Sequence, residues 1–170
     1  MATELAAHMV RTASTMFAAH GYSAVSVRTI ANAVHADVAA IYYYFRSKDA
    51  LLAAVLAPYL AQQISVTETA NAAPRAQRAR TLLTGLVDAR VTHPEAAAIV
   101  NDPAIRDLPR RRAEIEHVNS QATHSLLITT TGRGARQRVE LALTLVAHGP
   151  VTARSRSHTL DAAVRLIEVV

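Results

Sequence analysis

The side chains best suited to metal or proton chemistry stand together at 114–124. His117 and His124 are seven residues apart and share a helix face with Gln121, and Glu114 lies one turn before His117. That spacing admits a divalent ion held through imidazole and carboxylate. A metal centre also needs ligands from a second element, and none stands at a fixed spacing from this group, so the expectation is no metal and no cofactor. The chain has no glycine-rich phosphate loop, no nucleophile elbow and no carboxylate pair set apart from ordinary solvated helix faces. It has no cysteine, hence neither a thiolate nucleophile nor a disulfide. The residues read against an enzyme.

Charge points elsewhere. A net charge of +5 and a pI near 10.2 suit a polyanionic partner, because each phosphate neutralised releases condensed counterions. The excess is not at the front: Arg11, Arg28, Arg46 and Lys48 face Glu4, Asp37 and Asp49 in the first 60 residues. Part of it is the run Pro109-Arg110-Arg111-Arg112, where arginines at a helix N-terminus oppose the helix dipole and ask for an acid nearby. An Ala- and Arg-rich, Lys-poor composition accounts for much of the arginine without any function. No stretch is expected to reach the roughly 18 apolar residues of a membrane span. The opening MATELAAHMVRTASTMF lacks the basic-then-apolar order of a leader, so the expected location is the cytoplasm, with no membrane partner.

The elements that must position these residues are helices throughout, since apolar residues recur at helical spacing and no segment sustains a period of two. The first helix is predicted from about Glu4 to His20, with Leu5, Met9, Thr12, Ala13, Met16 and Phe17 on one face and Gly21 as a left-handed cap. Ser26 is placed to cap a second helix, Val27 to Val34, whose Val27, Ile30, Ala31 and Val34 form a buried stripe. His35 and Ala36 make a turn, Asp37 caps a third helix with Ile41 and Phe45 inward, and Ser47 caps a long fourth helix from Lys48. Two short helices joined by a tight turn, with a third crossing them, can present a recognition helix to a major groove.

The run Phe17 to Leu56, FAAHGYSAVSVRTIANAVHADVAAIYYYFRSKDALLAAVL, resembles the DNA-binding head of the tetracycline-repressor (TetR) family. The match rests on Phe17, Gly21 and Tyr22, on Ser26, Val27, Ile30 and Ala31, on Tyr42, Tyr44 and Phe45, and on Ser47-Lys48-Asp49-Ala50-Leu51-Leu52. The resemblance implies an all-α fold with a three-helix helix-turn-helix head at 1–56 and a helical ligand-binding and dimerisation body at 57–170, about nine helices in all. It implies a DNA-binding transcription regulator of repressor type that a small effector releases from its operator. The DNA-binding set it implies is Ser26, Arg28, Val38, Ala39, Ala40, Tyr42, Tyr43, Tyr44 and Lys48. Arg28 could grip a guanine edge with its two-pronged guanidinium, the tyrosine hydroxyls and the Lys48 ammonium would meet phosphates, and Val38, Ala39 and Ala40 would meet thymine methyls.

Two departures stand out. His35 occupies a turn position where the family usually has glycine, so a positive φ is expected there at some cost. The recognition helix offers no Arg, Lys, Asn or Gln between Asp37 and Phe45, so base reading must lean on Arg28, on tyrosine hydroxyls and on DNA shape. That scarcity keeps open a second reading, a helical dimer that uses the head for protein contacts.

Beyond Leu56 pattern alone guides the reading. Pro58 is expected to kink or end the fourth helix, and Thr67 to Pro74 to form a hinge. Helices are predicted at about Arg75 to Thr92, Pro94 to Val100, Pro109 to Thr130, Ala135 to Ala147 and Ser157 to Val169, with Thr131-Gly132-Arg133-Gly134 as a loop. By resemblance, 135–147 and 157–169 form a four-helix bundle across a two-fold axis, giving a homodimer on a palindromic operator. The body interior is expected to hold Leu82, Leu83, Leu86, Val87, Ile99, Val100, Ile115, Val118, Leu126 and Leu127. Asn119 and the candidate ligand contacts Leu86, His117, Gln121 and His124 would lie among them, which suits a mainly apolar effector of unknown identity.

Overall fold

In the computed structural model the described residues are 2–150, 152 and 155–168. Among them the fold is all helical, with ten helices and no strand: α1 Ala2–His20, α2 Val27–Ala33, α3 Val38–Phe45, α4 Lys48–Ala72, α5 Arg75–Thr92, α6 Pro94–Ile99, α7 Pro103–Arg106, α8 Pro109–Thr129, α9 Ala135–His148 and α10 Arg156–Glu168. The count exceeds the expected nine by α7. That short helix announces itself as Asp102-Pro103, an N-cap followed by a proline at the first position, with the Asp102 carboxylate accepting from the Ala104 N–H, a start signal. Val169 and Val170, the first of them counted in the predicted last helix, lie outside the described residues.

The chain divides into two compact units. The first joins the stretch up to Pro58 to Pro94–Ala113. α1 packs on α2, α3 and α6, and α2 packs on α3. Met9, Ala13, Phe17, Ile30, Ile41, Leu51 and Leu52 are buried in it, as are Ile99 and Ile105. Ile99 is thus interior, as expected, but to this unit and not to the body. The Arg111 side chain is 7% exposed and its Nε stands 3.2 Å from Asp49 Oδ1. Asp49 is thus an acid beside the basic run at the start of α8, as its opposition to the helix dipole demanded.

The second unit joins Tyr59–His93 to the chain from Glu114 onward. Its core is aliphatic: Leu82, Leu83, Leu86 and Val87 from α5, Ala122 and Leu126 from α8, Val139, Ala142 and Val146 from α9, and Ala163, Val164 and Ile167 from α10. α10 lies along α9 and α5, with Arg156 paired to Asp88. Arg90 donates to the carbonyls of Val146 and Gly149, a cation where the α9 C-terminus leaves carbonyls unbonded. Gly132 and Gly134 take positive φ values of 86° and 78°, so 131–134 is a loop as expected.

Three expectations need correction around α4. Of the two outcomes expected at Pro58, the end of the helix is overturned, since α4 runs on to Ala72 with the proline inside it. Pro58 is exposed, so water can reach the backbone carbonyl that its missing N–H leaves unpaired. The expected hinge at 67–74 shrinks to residues 73 and 74, because Thr67 and Thr69 return their hydroxyls to the carbonyls of Gln63 and Ser65 within the helix. And α4 does contain an 18-residue stretch with the length and hydropathy of a membrane span. Its Leu51, Leu52, Val55, Leu56, Tyr59 and Leu60 are instead buried in the protein.

Candidate nucleic-acid interface

The surface that could meet DNA is built from the start of α2 to the start of α4. Ser26 is extended and its Oγ accepts from the Thr29 N–H at 3.0 Å, the cap that fixes where α2 begins. Val27, Ile30, Ala31 and Val34 are buried, so the helical period turns Arg28, Thr29 and Asn32 outward, and all three are exposed. The helix closes with two bonds, Ala36 N–H to Ala31 carbonyl at 2.9 Å and His35 N–H to Asn32 carbonyl at 3.2 Å. This is the paired closure that requires a left-handed residue between helix and chain. His35 supplies it at φ 53°, as the missing glycine foretold.

Asp37 holds the N-cap position of α3 in extended conformation, but its side chain makes no capping bond. Ile41 is fully buried, whereas Phe45 is only half-buried. Opposite Ile41, Tyr43 is 81% exposed and Tyr42 47%. The Tyr43 ring meets Tyr44 edge to face, centroids 5.2 Å apart, a favoured arrangement that limits how either ring can swing. Ala39 is exposed, and Val38, Ala40 and Tyr44 are half-buried. α3 ends on Arg46 in the left-handed region at φ 57°, which the sequence pattern does not disclose. Ser47 Oγ then caps α4 through the Ala50 N–H at 3.0 Å.

Lys48 is placed differently from the other candidates. Its Nζ donates to the Tyr22 carbonyl and stands 4.0 Å from the centroid of the Tyr22 ring. Burial draws the ammonium below the usual lysine pKa, and the Asp102 carboxylate works against that. Asp102 also receives the Tyr22 N–H at 2.7 Å. Burial raises the Tyr22 hydroxyl, the Asp49 charge adds to the rise, and Arg111 opposes it. Asp102 was missed because its role depends on a contact 80 residues away, which no local pattern carries.

In the second unit, Leu86 is core, His117 and His124 are exposed, and half-buried Gln121 bonds His117 Nε2 at 3.0 Å. Asn119 is exposed as well. His117, Asn119 and His124 therefore do not lie among the aliphatic interior, and the two histidines fall on the side of α8 away from Val118, Ala122 and Leu126. Among the described residues no three His, Asp or Glu side chains gather as a metal site would need. A cleft of about 690 Å³ lies instead along α4 and α5, lined by Gln62, Ser65, Val66, Thr69, Gln77, Arg80, Thr81, Thr84, Gly85 and Asp88. None of the four candidate ligand contacts lines it.

Residues 10–55 match the model of the tetR family of bacterial regulatory proteins. No curated protein matches the chain in sequence. Among solved structures, the chain is similar to a regulatory protein of the tetR family from Rhodococcus RHA1 (TM-score 0.80, 18% identity, 98% of each chain covered). It is similar to PfmR, a TetR family transcriptional regulator from Thermus thermophilus (TM-score 0.77, 16% identity, 95% of this chain and 98% of that one). It is also similar to AmtR of Mycobacterium smegmatis (TM-score 0.73, 21% identity, 95% and 85%). The segment that carries the helix-turn-helix is thus a tetR-family head, and the chain has the fold of TetR-family transcriptional regulators.

Proposed function

We propose that this chain is a dimeric, sequence-specific DNA-binding transcriptional repressor of the cytoplasm, acting by binding and not by catalysis, and released from its operator by a small effector. The observation that carries the reading is the division of α2 and α3 into a buried apolar face and an outward face bearing Arg28, Ala39, Tyr42 and Tyr43. Ser26, Val38, Ala40 and Tyr44 complete the DNA-facing set. Arg28 reads a base edge, the tyrosine hydroxyls meet phosphates or bases, and the small apolar residues meet thymine methyls.

The dimer forms through α9 and α10, where Leu141 is left 56% exposed, and its two-fold axis makes the operator a palindrome. The effector was expected to be mainly apolar. The hydroxyls and amides along the α4–α5 cleft favour one that also carries hydrogen-bonding groups. The donor-poor α3 and the exposure of Tyr43 support the second reading, a head that docks on protein.

Selection from random duplex DNA at near-physiological salt separates the two. A repressor enriches a palindrome, and Arg28→Ala then relaxes the preference at one base pair of each half-site, a loss of about 1–3 kcal/mol in discrimination. No enrichment, with binding that vanishes as salt rises, would move the function to a protein partner.

A further inference from the structure

Tyr22 sits in the connector between α1 and α2, and its backbone is gripped from both sides. Its N–H donates to Asp102 Oδ2 at 2.7 Å, and its carbonyl accepts from Lys48 Nζ. The other Asp102 oxygen is held by the Ala104 N–H at 2.9 Å, at the start of α7. The connector fits this acid closely: Gly21 has φ 82°, and a Cβ on it would stand 3.4 Å from Asp102 Oδ2. The Lys48 ammonium also faces two rings, Tyr22 at 4.0 Å and Phe17 at 5.8 Å.

Hydrogen bonds to ionised groups are the strong class, and cation–π contacts gain from partial desolvation. An ammonium so held cannot follow a phosphate without giving up the Tyr22 carbonyl and ring. Three residues later the connector becomes Val25, which is buried, and then Ser26, which fixes the start of α2. The orientation of Tyr22 is therefore passed directly to the helix that carries Arg28.

We propose that Lys48 and Asp102 act on DNA binding as positioning residues, holding the Tyr22 backbone by its carbonyl and its N–H so that α2 presents Ser26 and Arg28 correctly. The inference rests on the DNA-binding reading. It makes Asp102, far along the chain, part of the DNA-reading head, and it gives Lys48 a task other than a phosphate contact.

The test compares Lys48→Met and Asp102→Ala with the unaltered protein on the enriched duplex and on random duplex across a salt series, with Tyr22 amide exchange followed in Asp102→Ala. Each variant is expected to lose about tenfold on the enriched duplex, the worth of one charge-assisted hydrogen bond, and much less on random DNA. The salt slope should stay unchanged, the double variant should lose no more than the worse single one, and the Tyr22 amide should exchange faster. A slope that falls by about 0.9 in Lys48→Met, with Asp102→Ala binding normally, would overturn the proposal and return Lys48 to a phosphate. Equal losses on both duplexes would overturn it too, since they report general destabilisation. Should the unaltered protein enrich no sequence, the DNA reading itself fails. Tyr22 amide exchange then decides the clamp alone, and an unchanged rate in Asp102→Ala overturns it.

Discussion

The DNA-facing helices of the first unit are short and fixed by caps at their ends, whereas the helices of the second are long and meet in one core. In the first, α2 and α3 have seven and eight residues, and polar groups fix the chain between helices: Ser26 on Thr29, Ser47 on Ala50, Asp102 on Tyr22 and Ala104. In the second, α5, α8, α9 and α10 run for 13 to 21 residues and meet in one aliphatic core. Short helices bury little, so their directions depend on caps. Long amphipathic helices are directed by packing, which tolerates hydrophobic exchange as long as volume is kept. A surface that must match a fixed partner such as DNA gains from the first arrangement, and a body that must accommodate a ligand gains from the second.

The largest effect should come from the centre of the second unit. Leu126 is fully buried in this aliphatic core, and Leu126→Ala is expected to cost about 2–5 kcal/mol in denaturant unfolding, the transfer term plus the cavity left behind. A cost below about 1 kcal/mol would mean that the site collapses readily and that packing does not direct this unit. A subtler probe is Gly85. A Cβ there would stand 2.4 Å from Val66 Cγ1, 2.7 Å from Cγ2 and 3.1 Å from Cβ, and a β-branched side chain in a helix has almost no other rotamer to retreat to. Gly85→Ala should therefore cost about 1–3 kcal/mol despite the gain of about 1 kcal/mol in helix propensity. Adding Val66→Ala should recover most of that loss, and if it does not, α4 and α5 are not in this register.

The same contrast explains what could be read in advance. The bounds of α2 and α5 and the start of α4 were legible because Ser26, Ser47 and the apolar period mark them locally, and Gly21 and His35 disclosed their positive φ values by type and place. The run of α4 through Pro58 was not legible, because a proline disfavours a helix interior locally, and what carries the helix past it is the burial of Val55, Leu56, Tyr59 and Leu60 on either side. The candidate site divides likewise. Exposure of Arg28 and Tyr43 follows from helical period, while the engagement of Lys48 by Tyr22 depends on tertiary approach. The histidines of α8 were misread as interior because that helix spreads polar and apolar residues around its whole circumference, so its pattern does not disclose which face is buried.

In the first unit the expected effects are smaller, and they concern caps. Ser26→Ala removes the Oγ that accepts from Thr29 and should cost about 1 kcal/mol. Because Ser26 fixes the start of α2, the variant should also weaken binding to the enriched duplex more than to random DNA. Losses equal on both would mean that cap and surface are independent.

His35→Gly should move stability least and in the opposite direction. His35 holds φ 53° at the closure of α2, a conformation that costs an L-residue about 1–2 kcal/mol and glycine almost nothing. Its side chain is exposed, so few contacts are lost with it. Against this, glycine gains freedom in the unfolded chain, which takes back about 0.4–1 kcal/mol. The two ranges leave a net gain centred on about 0.8 kcal/mol, with the closing bonds from Ala36 and His35 retained because both use backbone atoms. A loss of stability would show that the imidazole has a partner at the open cleft it lines with Leu5, Asn32, Ala36, Asp37 and Ala40. The head would then be held at that joint by a side chain as well, as it is at Ser26 and Tyr22.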